Sequence, residues 1–149
     1  MDSAGFWEAT REGRITLCRC SDCGTWLARP LERCHRCGGP TSFADVTGAG
    51  TIYSFIVVRH RSVPAFADLV PYVLALVEFV EGPRLPGILL DERGPGVTIG
   101  QRVSAELVQF DGAEEQAVAF RRMRQTESPK PPVTRSVSPV RNDAFGEAR

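Results

Sequence analysis

Five cysteines, all between positions 18 and 37, are the residues whose types and spacing most narrowly define a chemistry in this chain. Four of them form the pattern Cys20-x-x-Cys23-Gly24 and Cys34-x-x-Cys37-Gly38, with ten residues between the two pairs. Each half brings two thiolates to one side of a tight turn, and the glycine relieves the backbone as it curls back. Two such turns on a hairpin converge four sulfurs on one point, the preferred arrangement for structural zinc. Protein then fills every coordination position, so the metal serves folding and not catalysis. Structural zinc contributes on the order of 10–16 kcal/mol in small peptides, and a hairpin whose core is only Ile15, Leu17, Trp26 and Leu27 needs such a term. A pair of redox motifs is the weaker reading, because neither C-x-x-C stands at a strand-to-helix junction of a βαβ unit. Cys18 is left over and reads as a small apolar strand residue. Arg19, Arg29, Arg33, His35 and Arg36 surround the cysteines. They either offset the charge of a tetrathiolate or face a phosphate-bearing ligand.

A second cluster is Arg59-His60-Arg61, followed by Ser62-Val63-Pro64-Ala65-Phe66, Asp68 and Pro71-Tyr72. Cationic side chains beside an aromatic and prolines suit a phosphate and a purine; the competing reading is a solvated loop in which an arginine pairs with Asp68. No G-x-S-x-G, H-E-x-x-H or P-loop occurs, and Gly48-Ala49-Gly50 precedes a strand pattern, not a helix. Asp91, Glu92 and Asp111 fall in turn-like places. No nucleophile, base and oxyanion site can be assembled from these residues.

The elements that must position these groups divide the 149 residues into four segments. Residues 1–13 read as a short N-terminal helix with Ser3 as cap, Gly13 as stop, and Phe6, Trp7 and Thr10 on one side. Residues 14–40 carry the cysteines. Residues 41–122 alternate like half-buried strands at Thr51–Val58, Tyr72–Val80, Gly87–Leu90, Arg102–Phe110 and Ala117–Arg122, with glycines between them. Five short strands with little helix suggest a closed barrel of the OB-fold type, since closure removes exposed edges. The alternation places Tyr53 and Phe55 in its core. Residues 123–149, with Pro129, Pro131, Pro132 and Pro139, read as a disordered tail. The chain is therefore expected to be mainly β.

The ordered features are Phe6-Trp7 with Gly13, two C-x-x-C-G turns, Gly48-x-Gly50-x-Ile52-Tyr53-Ser54-Phe55, the strand from Pro71 to Glu78, and Ile99-Gly100 with Val103. Together they resemble the acyl-CoA-associated family that joins a rubredoxin-like zinc ribbon to an OB-fold, formerly catalogued as a domain of unknown function. His35 stands where that family usually has proline. The resemblance implies a non-catalytic accessory subunit beside a thiolase-superfamily enzyme (thiolase, aldolase or synthase) or an enoyl-CoA hydratase, in lipid or steroid metabolism. It also implies an acyl-CoA ligand, for which Arg59, His60 and Arg61 become candidate coenzyme A contacts.

The competing class is single-stranded nucleic-acid binding, which zinc ribbons and OB-folds both serve. Charge weighs against it: the chain holds 18 basic and 18 acidic residues, and residues 41–122 carry more acids than arginines. No secretory signal or membrane span is legible, and clustered cysteines suit a reducing compartment, so a cytoplasmic location is expected. The ligand assignment gives a first prediction. Metal analysis should find that Cys20→Ser strips the metal and Cys18→Ser leaves it; the reverse result would reassign the fourth ligand.

Overall fold

The structure, a computed structural model, describes residues 3–124 and the backbone of 134–137. A helix, α1 (Ala4–Arg11), leads into β1 (Thr16–Cys20), β2 (Trp26–Leu27) and β3 (Thr41–Asp45). These strands form a sheet ordered β2-β1-β3 with antiparallel pairing, Cys18 opposite Leu27 and Phe43. The sheet of the cysteine segment thus runs to Asp45, five residues past the division drawn at residue 40 from the sequence.

The remaining strands are β4 (Ala49–Val58), β5 (Tyr72–Phe79), β6 (Arg84–Leu89), β7 (Arg102–Phe110) and β8 (Ala117–Arg122). Their order is β4-β5-β6-β8-β7, and β7 pairs back to β4 to close a five-stranded barrel. Only β6 and β8 run parallel within it, with Ile88 opposite Ala119. This closed order, with its one parallel pair, is that of the OB-fold. A strand β9 (Thr134–Val137) lies parallel to β7 from Leu107 to Phe110, beyond the point where β4 leaves that edge. It falls within the segment whose composition suggested disorder; residues 125–133 and 138–149 of that segment lie outside the described residues.

Alternation in β5 sends Val73, Ala75, Val77 and Phe79 inward, where Phe79 meets Phe120 of β8 at 6.0 Å between ring centroids. The register of β4 against β5 shifts between Ile52 and Ser54. That bulge breaks the alternation, so Tyr53 turns outward, 46% exposed, while Phe55 packs against the core. The core expectation therefore fails for Tyr53 and holds for Phe55. Between β4 and β5 a 3-10 turn, Pro64–Leu69, lays Phe66 edge-on against Tyr72 and Phe110. Sequence patterning read that turn as loop.

The cysteine segment is not a separate bead. Ile15, Leu17 and Val46 join the barrel residues in one buried cluster, with Phe6 and Trp26 packed against it. Thr10 and Ala9 of α1 are also buried, and Thr10 Oγ1 donates to the Trp7 carbonyl at 2.8 Å. Ile15, 1% exposed, bridges the two parts. Truncating a side chain this buried costs about 2–5 kcal/mol. Urea unfolding of Ile15→Ala should accordingly show one cooperative transition at lower denaturant with metal content unchanged. A barrel transition that does not move would show two independent units.

Candidate metal centre

The two cysteine turns are built by local hydrogen bonding. Gly24 N–H donates to the Cys20 carbonyl at 3.1 Å, and Gly38 N–H donates to the Cys34 carbonyl at 2.8 Å. Both glycines hold positive φ, 70° and 75°, which L side chains rarely adopt. The equivalent backbone path in both turns brings Cys20, Cys23, Cys34 and Cys37 together, all four sulfurs within 4.8 Å of one another. Cys20 and Cys37 are 3.5 Å apart and Cys23 and Cys34 are 3.7 Å apart. A tetrahedron with metal–sulfur bonds of about 2.3 Å has sulfurs ~3.8 Å apart, so the set fits one ion of zinc's size and donor preference. Cys20 and Cys34 are buried, while Cys23 and Cys37 face solvent.

Backbone amides point at the sulfurs: Arg36 N–H donates to Cys34 and Gly39 N–H to Cys37, each at 3.4 Å. Such donors stabilise thiolate and orient ligands. The Thr25 hydroxyl lies 3.1 Å from the Cys23 sulfur. Hydrogen bonding from the Thr25 side chain, then from its backbone, lowers the Cys23 thiol to about 6. At Cys37 the Gly39 amide favours the thiolate, but hydrogen bonding with the Cys20 and Cys23 sulfurs outweighs it and pushes the thiol up to about 12. Four crowded thiols share protons unequally, and a cation replaces that sharing with attraction. Sequence reasoning found the four sulfurs but not Thr25 or the amide donors; the position two residues beyond a knuckle cysteine was the available signal.

Cys18 lies outside this cluster, buried with its sulfur 3.9 Å from the Leu31 carbonyl. Two arginines have local structural roles. Arg19 stacks over Trp26 at 5.1 Å and donates to the Gly24 carbonyl, and Arg33 donates to the Gly38 carbonyl at 3.3 Å. The second cluster named from sequence, Arg59, His60 and Arg61, is exposed at the end of β4. Its side chains make no hydrogen bond or ion pair among the described residues, so the pairing with Asp68 is not formed. The structure does not bring this loop to the metal ligands. No helix among the described residues is long and apolar enough to cross a membrane.

A four-sulfur knuckle pair fused through one core to a five-stranded closed barrel defines a zinc-ribbon/OB-fold protein. Family models agree on both parts: the ChsH2 rubredoxin-like zinc ribbon domain matches residues 7–42, and the ChsH2 C-terminal OB-fold domain matches residues 44–108. The solved Ltp2-ChsH2(DUF35) aldolase contains a chain with 34% identity and a TM-score of 0.74, covering 81% of this chain and 94% of that one. The chain belongs to this DUF35 family of ChsH2-type zinc-ribbon and OB-fold proteins. A probable enoyl-CoA hydratase alpha subunit of Thermomonospora curvata is 35% identical over 111 residues, 74% of this chain and 34% of that protein. A DUF35 domain-containing scaffold protein of Methanocaldococcus jannaschii is 36% identical over 89 residues, 58% of this chain and 62% of that protein. The chain therefore spans about a third of the first relative's length and about three-fifths of the second's.

The site predicts that Cys34→Ser, which removes a buried ligand, yields protein that has lost its metal and is cut rapidly by protease within residues 14–45. Atomic absorption and limited proteolysis measure both. A metal-loaded, resistant variant would contradict the four-sulfur assignment.

Proposed function

We propose that this chain is a non-catalytic accessory subunit that positions acyl-CoA and scaffolds a thiolase-like or enoyl-CoA hydratase partner in lipid or steroid metabolism. Its four cysteines hold one structural zinc ion, and its place of work is the cytoplasm. The observation that carries this reading is the near-complete coverage of the DUF35 chain of the Ltp2-ChsH2 aldolase. The scaffold name of one relative and the hydratase-subunit name of another support the same role. Zinc closed by four thiolates has no open position for a substrate, which is consistent with chemistry carried by a partner.

Two surfaces serve the proposal. Trp7 of α1 remains 38% exposed although its neighbour Phe6 packs on the core, edge-on to it at 5.1 Å. An exposed tryptophan on a helix held by Thr10 and Ala9 makes a rigid anchor for a protein partner. Arg59, His60 and Arg61 are the proposed coenzyme A contacts. Arginine forks suit phosphate, and no carboxylate among the described residues occupies them.

The nucleic-acid reading weakens on two geometric points. Tyr53 is exposed, but Arg84 covers its ring at 3.5 Å and is itself paired with Glu78. The loop joining β7 to β8, which OB-folds use to grip strands, carries Asp111, Glu114 and Glu115.

The test is co-expression with a thiolase-like or hydratase gene neighbouring this one. A complex should form by light scattering, and Trp7→Ala should weaken it. Arg59→Ala with Arg61→Ala should raise the apparent acyl-CoA constant of the complex by about tenfold, equivalent to about 1.4 kcal/mol. A monomeric chain that changes no partner's turnover contradicts the subunit role; unchanged acyl-CoA kinetics in an intact complex contradict the loop assignment alone.

A further inference from the structure

One edge of β7 is divided between two partners. Its first part pairs with β4, Arg102 opposite Thr51 through Ser104 opposite Ala49. The Ala105 amide then donates to the Gly48 carbonyl at 2.7 Å, and there the cover from the β4 side ends. Leu107 to Phe110 pair instead with β9, Leu107 opposite Thr134 and Phe110 opposite Val137. Without β9 these four residues would present unpaired N–H and C=O groups on that edge. Three of them, Leu107, Val108 and Phe110, are buried apolar residues. An open edge on so apolar a strand is a template for pairing with another chain.

β9 is joined to the barrel more loosely than the other strands. The Met123 amide donates to the Arg102 carbonyl at 2.9 Å, so the chain leaves β8 beside the start of β7. β9 begins five residues further along β7, at Leu107, a distance of about 17 Å. Nine residues, 125–133, make this connection, and a tether of that length reaches up to about 30 Å. It is long enough for β9 to leave the edge and return. β9 itself has only four residues, ends the sheet order, and pairs in parallel with β7, the pairing that is less stable per residue. The ChsH2 models stop at residue 108, so the strand lies outside the framework they describe.

We propose that the β7 edge from Leu107 to Phe110 is a strand-docking site for an extended peptide. Its resident occupant is this chain's own Thr134–Val137, and its exchange partner is the same segment of a second copy. Backbone pairing supplies the affinity, as in other cases of strand addition to a sheet edge. The tether holds the resident strand at an effective concentration in the millimolar range, so it keeps the edge closed to free peptide. When the resident strand is out, the strand of a second copy enters in the same register. The site uses none of the cysteine ligands and does not depend on the partner reading.

Fluorescence anisotropy of a labelled peptide of residues 130–141, titrated with the full-length, metal-loaded chain, tests it. The acceptor is compared with a variant carrying Arg135→Pro and Ser136→Pro. Of two successive strand residues one aims its N–H at the neighbouring strand, and proline has none to donate. Both changes lie outside the barrel, so the fold should survive, and circular dichroism checks this. The expected result is saturable one-to-one binding to the variant and apparent binding about tenfold or more weaker to the unmodified chain. A peptide with the same two prolines should not bind. Hydrogen exchange across Leu107–Phe110 should quicken in the variant and slow again when the natural peptide is added. Equal binding to both chains, no binding to the variant, or a proline peptide that binds as well as the natural one would each overturn the proposal.

Discussion

The structure depends on one strand that must satisfy two neighbours at once. Along β1 the side chains alternate, so Leu17, with Ile15 just before the strand, enters the barrel core while Cys18 and Cys20 face the cysteine knuckles. Cys20 can reach the other three sulfurs only if Leu17 is seated in the barrel, because a one-residue slip would exchange the two faces. The few apolar residues on the cysteine side, Cys18, Leu27 and a partly buried Leu31, are too small a core to hold that register. Four thiolates gathered within 4.8 Å repel one another unless a cation sits among them. A metal ion held there would stand in for the hydrophobic core that the cysteine side of this sheet lacks.

From that strand outward, the rest is consistent with a scaffold. The helix α1 is only eight residues long and too short to persist alone. It persists because Ala9, Thr10 and Phe6 rest on the fused core, and this leaves Trp7 pointing away. Arg11 meets Glu115 in the loop between β7 and β8, a surface contact that adds orientation more than stability. Barrel closure through β4 and β7 uses those sheet edges for internal pairing, so the surfaces left for partners are loops and the exposed helix side.

The cysteine ligands and the five barrel strands were legible in the sequence because both signals are local. Ligand spacing is a property of one tight turn, and alternation is a property of one strand; β7 and β8 begin and end where the patterning places them. Features that depend on pairing were less accessible. β3 belongs to the cysteine sheet only through its register with β1, and its own five residues alternate weakly. Tyr53 was misplaced by a single bulge that alternation cannot reveal. Arg102 comes beside Arg121 and Arg122 only because β7 lies against β8, a pairing that no local pattern reveals. The phosphate-seeking role read into Arg59, His60 and Arg61 rests on residue type and exposure, since no ligand geometry constrains that loop.

The central claim is that a metal ion holds the cysteine segment in the register that lets it share the barrel's core. Hydrogen–deuterium exchange on the full chain, with and without a chelator strong enough to remove zinc, tests it most directly. The account predicts that metal removal abolishes protection across β1, β2 and β3 and weakens it in the barrel strands touching Ile15 and Leu17, with the far side of the barrel least affected. Protection in β1 to β3 that is unchanged after the metal is gone would contradict it.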